Sequence, residues 1–156
     1  LNGECYRRRG DINLGILTSY RGIGNDLLCS DELSAWWRPQ YIEAVRFAMN
    51  EINQNPDILP NITLGFFAVD ACDKDLTSLA RTLFFMPPSD GKLVMEPDET
   101  AVVFNCSPSV QQFRVVGVLG PATSRLAVMS SSLLGVFKIP VLSSYATSDE
   151  LSDKVR

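Results

Sequence analysis

The 156-residue chain contains no histidine. That absence removes the usual proton acceptor for a serine nucleophile and the commonest nitrogen ligand of metal sites. Ser124 and Ser144, the serines best placed to act as nucleophiles, are left without an imidazole base. No G-x-S-x-G elbow occurs and no G-x-G-x-x-G follows a candidate strand, so the sequence does not read as an enzyme and implies no cofactor. Four cysteines are present (Cys5, Cys29, Cys72 and Cys106), but none are spaced as CxxC, so no metal site is expected. Positive charge is scarce as well. With a formal net charge of −4, non-specific nucleic-acid binding is not expected, and Arg7-Arg8-Arg9 is too short a run to reverse this. The triplet reads as a solvated N-terminal segment or, in the alternative, as a contact for a partner. No apolar run approaches the roughly 18–20 residues that a membrane-spanning helix needs.

What is present is a globular composition, 46% hydrophobic and 21% charged, enough to fill a single core at this length without staples. Ile12–Thr18 reads as a first buried strand. Residues 20–38 form a long loop ending in Trp36, Trp37 and Arg38, and Pro39 suits the first turn of a helix. That helix is expected to run to Asn53 with Ile42, Val45, Met49 and Ile52 inward. A second strand over 63–69 and a second helix over 76–86, burying Leu79, Leu83 and Met86, follow. Residues 87–112 form a long insertion rich in Pro, Gly, Asp and Ser. A third strand over 115–119 and a third helix with Leu126, Met129, Leu133 and Phe137 on one side come next. Pro140 stops that helix, and Val141 and Leu142 begin a fourth strand. Alternation of this kind predicts an α/β fold with a doubly wound parallel sheet.

The chemistry concentrates in two turns. The third strand runs into Gly120-Pro121, then Ala122, Thr123 and Ser124 at the start of a helix. The fourth runs into Ser143-Ser144-Tyr145-Ala146-Thr147-Ser148. In a parallel sheet both turns lie at the carboxyl ends of neighbouring strands, where open α/β sheets bind ligands. The free N–H groups and positive dipole end of the helix attract a carboxylate or phosphate. Hydroxyls and carbonyls in the second turn are acceptors suited to an ammonium group. Ser124 has a plainer use as an N-cap, worth about 1 kcal/mol.

Asn61-Ile62-Thr63 and Asn105-Cys106-Ser107 are N-glycosylation acceptors, making Asn61 and Asn105 candidate glycan sites. Together with an even cysteine count they point to an extracellular setting. Leu1 opens the chain with no leader pattern before the first strand, as expected of a processed or partial product. A doubly wound lobe should continue past the second turn with further βα units, leaving one sheet edge uncovered.

Residues 115–154 resemble the first ligand-binding lobe of class C G-protein-coupled receptors, of the metabotropic glutamate and calcium-sensing type. Three further pieces match in order: GDINLGIL at 10–17, EAVRFAMNEINQNPDILPNITLG at 43–65, and the D-x-C of Asp70-Ala71-Cys72. Asn105-Cys106-Ser107 resembles the dimer-interface loop of the calcium-sensing relatives. The resemblance, over about residues 10–156, implies a periplasmic-binding-protein-like (Venus flytrap) lobe 1, incomplete. Residues 1–156 would be its N-terminal part, with the second lobe and the transmembrane region absent from this chain.

The implied function is binding of an amino-acid-like ligand at the extracellular face of the plasma membrane, with signalling by lobe closure. The implied partners are a second class C protomer, in a homo- or heterodimer, and a G protein reached through the transmembrane domain. Ser124 matches the serine that holds the ligand carboxylate, and Thr147 the threonine that receives its ammonium group. Tyr145, Ser148, Ala122 and Thr123 flank these. The resemblance also pairs Cys29 with Cys72 in a disulfide, two free buried thiols being the alternative. It makes Cys106 a candidate inter-protomer disulfide, against an internal bridge to Cys5.

Three departures bear on the ligand. Tyr41 stands where glutamate receptors carry an arginine that grips the distal carboxylate, while Arg38 and Arg46 lie three residues before and five after it. A neutral or aromatic amino acid fits such a site better than glutamate. In Ser144-Tyr145 the tyrosine sits one residue later than in the relatives, and Arg125 replaces a small residue. The alternative reading is a ligand-silent subunit used for dimerisation.

Overall fold

A computed structural model describes residues 5–24, 29–35, 38–87 and 114–152. Asn105, Cys106 and the side chain of Cys5 lie outside the described part, as does most of the insertion. In chain order the elements are β1 (Cys5–Arg8), β2 (Ile12–Thr18), β3 (Arg21–Ile23), β4 (Cys29–Leu33), α1 (Arg38–Gln54), β5 (Leu64–Asp70), α2 (Asp75–Thr82), β6 (Gly117–Leu119), α3 (Ser124–Gly135) and β7 (Val141–Leu142). Short 3-10 turns follow α2 (Leu83–Phe85) and close the described region (Asp149–Ser152).

Five strands pair in the order β1-β5-β2-β6-β7. β2, β5, β6 and β7 are parallel, and β1 joins the edge of β5 antiparallel. The continuous apolar run over 64–69 makes sense in this setting, because a strand covered on both faces has no polar side. The pleat sends Phe66 and Ala68 toward α1, where they pack with Tyr6, Ile16 and Met49. Phe67 and Val69 go the other way, to Leu17, Phe85, Val118 and Leu134. Full burial of Phe66 and Phe67 stabilises by roughly 1.5–3 kcal/mol each. Gly15 lets Phe85 come down onto the sheet: a Cβ there would lie 2.7 Å from the Phe85 ring.

The chain leaves β2 for β5 on one side and β6 for β7 on the other. Strand order therefore reverses between β2 and β6, and a crevice opens at their carboxyl ends. The α/β lobe with a mainly parallel sheet expected from the sequence is the architecture observed.

Four local expectations need correction. Arg7-Arg8-Arg9 is not wholly a solvated segment, since Arg7 and Arg8 belong to β1 and pair with Phe67 and Phe66. Charged side chains on an edge strand are a common protection against further pairing, so charge hid the strand. The loop 20–38 contains the β3–β4 hairpin, whose short strands pair with an irregular register.

In α2 the buried residues are Thr77, Ser78 and Thr82, whereas Leu83 is 52% exposed. Here the Thr82 hydroxyl donates to the Ser78 carbonyl at 2.8 Å and lies 3.2 Å from the Ser130 hydroxyl of α3. Small hydroxyl residues let the two helices approach, Thr82 satisfying its own polarity, and Leu76 and Leu83 take the outer face. A similar displacement affects α3, which buries Leu126, Ala127, Ser130 and Leu134, while Phe137 lies beyond its end and is exposed. In α1, Ile42, Val45 and Met49 do face the core as the spacing predicts.

Candidate functional site

The turn after β6 is fixed by backbone geometry. Gly120 has φ +88°, and a Cβ there would sit 2.1 Å from the Leu17 carbonyl oxygen, so only glycine fits. Its N–H donates to the Leu142 carbonyl at 2.7 Å, tying the end of β6 to the end of β7. The Ser143 hydroxyl donates to the Pro121 carbonyl at 2.6 Å and accepts from the Ala146 N–H at 3.2 Å. The Thr147 N–H then donates to the Ser124 hydroxyl at 3.0 Å. Both hydroxyl turns are thus stitched into one surface.

Thr123, not Ser124, occupies the N-cap position of α3, with extended backbone (φ −85°, ψ 139°) and a side chain that makes no capping bond. Ser124 is the first helical residue. Its oxygen accepts from Thr147, which leaves its O–H free to donate.

A cavity of about 590 Å³ lies at this end of the sheet. One part of its lining comes from Gly120, Ala122 and Thr123 after β6 and from Ser144 and Tyr145 after β7. The other comes from Leu17, Thr18 and Ser19 at the end of β2, from Asp73 after β5, and from Arg38, Gln40, Tyr41 and Ala44 of α1. Of the residues singled out from sequence, Tyr41, Ala122, Thr123 and Tyr145 line the cavity together. Ser124, Thr147 and Ser148 are not among the lining residues, although the Ser124–Thr147 bond stands directly beside them. Burial raises the Tyr41 phenol pKa above the ordinary value, and the Ser144 side chain opposes that push.

The β2–β5 half is heavily bonded. Asp70 is fully buried and accepts from the Tyr20 N–H (3.2 Å), the Arg21 N–H (3.3 Å), Arg21 Nε (2.9 Å) and the Cys72 N–H (3.0 Å). Burial pushes its carboxyl pKa up, and the Arg21 guanidinium opposes that push. The Ala71 N–H donates to the Thr18 carbonyl at 2.7 Å, and the Asp73 N–H to the Ser19 hydroxyl at 3.0 Å. Cys72 and Asp73 both adopt left-handed backbone, with φ 54° and 55°, a conformation side chains with a Cβ seldom take. A disulfide joins Cys72 to Cys29 across 43 residues, which stabilises by about 4 kcal/mol through loop closure.

Arg38 lies 2.7 Å from the Asp73 carboxylate and donates to the Ser19 carbonyl at 3.0 Å. The other two arginines near the motif point elsewhere: Arg46 pairs with Glu43 and Arg125 with Asp75. Sequence reasoning noted Arg38 beside Tyr41 but did not foresee its pairing with Asp73 at the cavity. The clue available was spacing, since Arg38 and Tyr41 are three apart and share a helix face. Cys29, Asp70 and Cys72 lie close enough to suggest a metal centre. The sulfurs are bonded to each other and the carboxylate already receives four N–H groups, so the cluster has no free ligand set.

Residues 41–156 match the family described as "Receptor family ligand binding region". The chain belongs to this family, as an extracellular ligand-binding region of the class C G-protein-coupled receptor type, and the relatives it matches are receptors rather than enzymes. It is 36% identical over 152 residues to metabotropic glutamate receptor 4 of Rattus norvegicus, covering 94% of this chain and 16% of that one. It is 34% identical over 150 residues to metabotropic glutamate receptor 8 of Homo sapiens, again with 94% and 16% covered. The chain thus spans about a sixth of the length of these relatives. No helix among the described residues is long and apolar enough to cross a membrane.

Proposed function

We propose that this chain forms the amino-terminal part of the first lobe of a two-lobed class C receptor ectodomain, and that its cavity receives an amino-acid-like zwitterion. The observation that carries this reading is the stitched pair of hydroxyl turns beside the uncapped start of α3, at the point where strand order reverses. The ligand carboxylate meets the first N–H groups of α3 and the free O–H of Ser124. The ammonium group meets the oxygens of the 143–148 turn, Thr147 among them.

Two charge-assisted hydrogen bonds and a dipole contribution amount to about 4–6 kcal/mol before association costs, which leaves binding millimolar or weaker. A second lobe closing over the exposed Thr123, Tyr145 and Thr147 supplies the remainder, and closure is what signals. Tyr41, lining the cavity where glutamate receptors carry arginine, favours a neutral or aromatic side chain over glutamate.

Dimerisation with a like or unlike protomer belongs to the same reading. Leu76, Leu83, Val136 and Phe137 are between 41% and 76% exposed on the α2–α3 layer, which supports a protein partner there. Coupling to a G protein runs through a transmembrane region of the longer polypeptide.

Calorimetry of the intact two-lobed ectodomain against the twenty amino acids tests the reading. Ser124→Ala and Thr147→Ala should each weaken the best ligand about tenfold or more, the scale of a hydrogen bond to a charged group. Indifference of the ectodomain to every amino acid would instead favour the ligand-silent dimerisation subunit.

A further inference from the structure

Among the described residues lining the cavity, Arg38 and Asp73 are the charged ones, and they are paired with each other at 2.7 Å. Their side chains are 23% and 31% exposed, so the pair faces the cavity instead of being sealed in the core. Its place along the sheet is set by topology. Asp73 follows β5 and the hydroxyl turns follow β6 and β7, with β2 between. Two strand spacings separate β5 from β6, about 10 Å, and the long Arg38 side chain from the start of α1 reaches into that interval. A zwitterion held at the hydroxyl turns therefore directs its side chain toward this pair.

A neutral ion pair discriminates by group type. An added anion near Arg38 meets the Asp73 carboxylate as well, and an added cation near Asp73 meets the guanidinium, so a net charge gains little. An aliphatic end would cover the pair's polar atoms without bonding to them. The matching group is neutral and offers an acceptor and a donor side by side.

Resting on the reading above, we infer that Arg38 and Asp73 form a selectivity site for a ligand side chain ending in a primary carboxamide. Its C=O accepts from the Arg38 guanidinium and its N–H donates to the Asp73 carboxylate. The backbone at Asp73 makes a clean test possible. Its φ of 55° is a conformation asparagine adopts readily, so Asp73→Asn changes the charge and keeps the turn.

The experiment measures affinities of L-glutamine, L-glutamate, L-lysine and L-leucine for the intact ectodomain, for Asp73→Asn and for Arg38→Gln, with thermal unfolding as the folding control. Glutamine should bind the unaltered protein about tenfold or more tightly than the other three, the scale of one hydrogen bond to a charged group. Asp73→Asn removes the carboxylate facing Arg38 and should turn the preference toward glutamate. Arg38→Gln leaves Asp73 exposed and should turn it toward lysine. A preference of the unaltered protein for glutamate, lysine or leucine, or one ranking common to all three proteins, overturns the selectivity site while leaving the zwitterion clasp standing. Absence of binding by all four to all three proteins overturns the selectivity site, and the clasp falls with it only if the twenty-amino-acid panel also finds no ligand.

Discussion

The two halves of the cavity are built on opposite plans. The β6–β7 half is neutral, rich in hydroxyls and largely exposed, held by single hydrogen bonds through Ser143 and Ser124. The β2–β5 half is charged and locked, with the buried Asp70 carboxylate taking four N–H groups and a disulfide fastening the adjoining hairpin. Polar atoms on an open surface can exchange protein partners for ligand atoms at little cost. The buried Asp70 carboxylate is already committed to four N–H groups, and it serves to hold a backbone that would otherwise relax, here the left-handed pair Cys72 and Asp73.

That contrast can be broken from either side. The largest effect is expected at Asp70→Ala, which strands the buried Arg21 guanidinium and releases the turns after β2 and β5. A loss of about 3–5 kcal/mol, as for other buried pairs deprived of one partner, should appear in chemical denaturation. A loss below about 1 kcal/mol would mean that the network is not what holds this half.

Ser143→Ala on the other side removes two hydrogen bonds of a partly buried turn, and about 1–2 kcal/mol is expected in the same assay. Parity with Asp70→Ala would erase the distinction between the halves. The smallest effect concerns the opposite end of the sheet. Asp11 accepts from the Thr63 N–H at 2.8 Å and the Thr63 hydroxyl at 2.7 Å, and these bonds hold its carboxyl below the ordinary aspartate value of 3.8. With the folded pKa below the unfolded one, the unfolded state binds more protons in this window. The contribution is therefore present above pH 3.8 and fades as pH falls through the lowered value. An NMR titration placing Asp11 at or above 3.8 would contradict it, and ligand binding at neutral pH should not respond to Asp11→Asn.

The neutral half was the legible one. Its turns are contiguous in sequence, each follows an apolar strand, and Ser124, Thr123 and Tyr145 could be picked out by local order alone. Strands β2 and β5 and helix α1 were equally plain, because their apolar spacing carries the pattern of the face they bury. The charged half is assembled from positions far apart, Ser19, Arg38 and Asp73, whose meeting depends on the hairpin and on the path of α1. Arginine and aspartate at such positions look the same in sequence whether they pair or remain solvated. The inward face of α2 was misread for a related reason, since hydropathy spacing gives no weight to small threonine and serine side chains that let helices pack closely.

The crowding at Gly120 carries a genetic consequence. The Leu17 carbonyl occupies the space a methyl group would need. A missense change in that codon, even to alanine, would force apart the loops that follow β2 and β6. It would deform the cavity lining at Leu17 and Gly120 while leaving the outward surface of the helices intact. An allele carrying such a change should therefore act at the cavity first, through a backbone position that itself has no side chain.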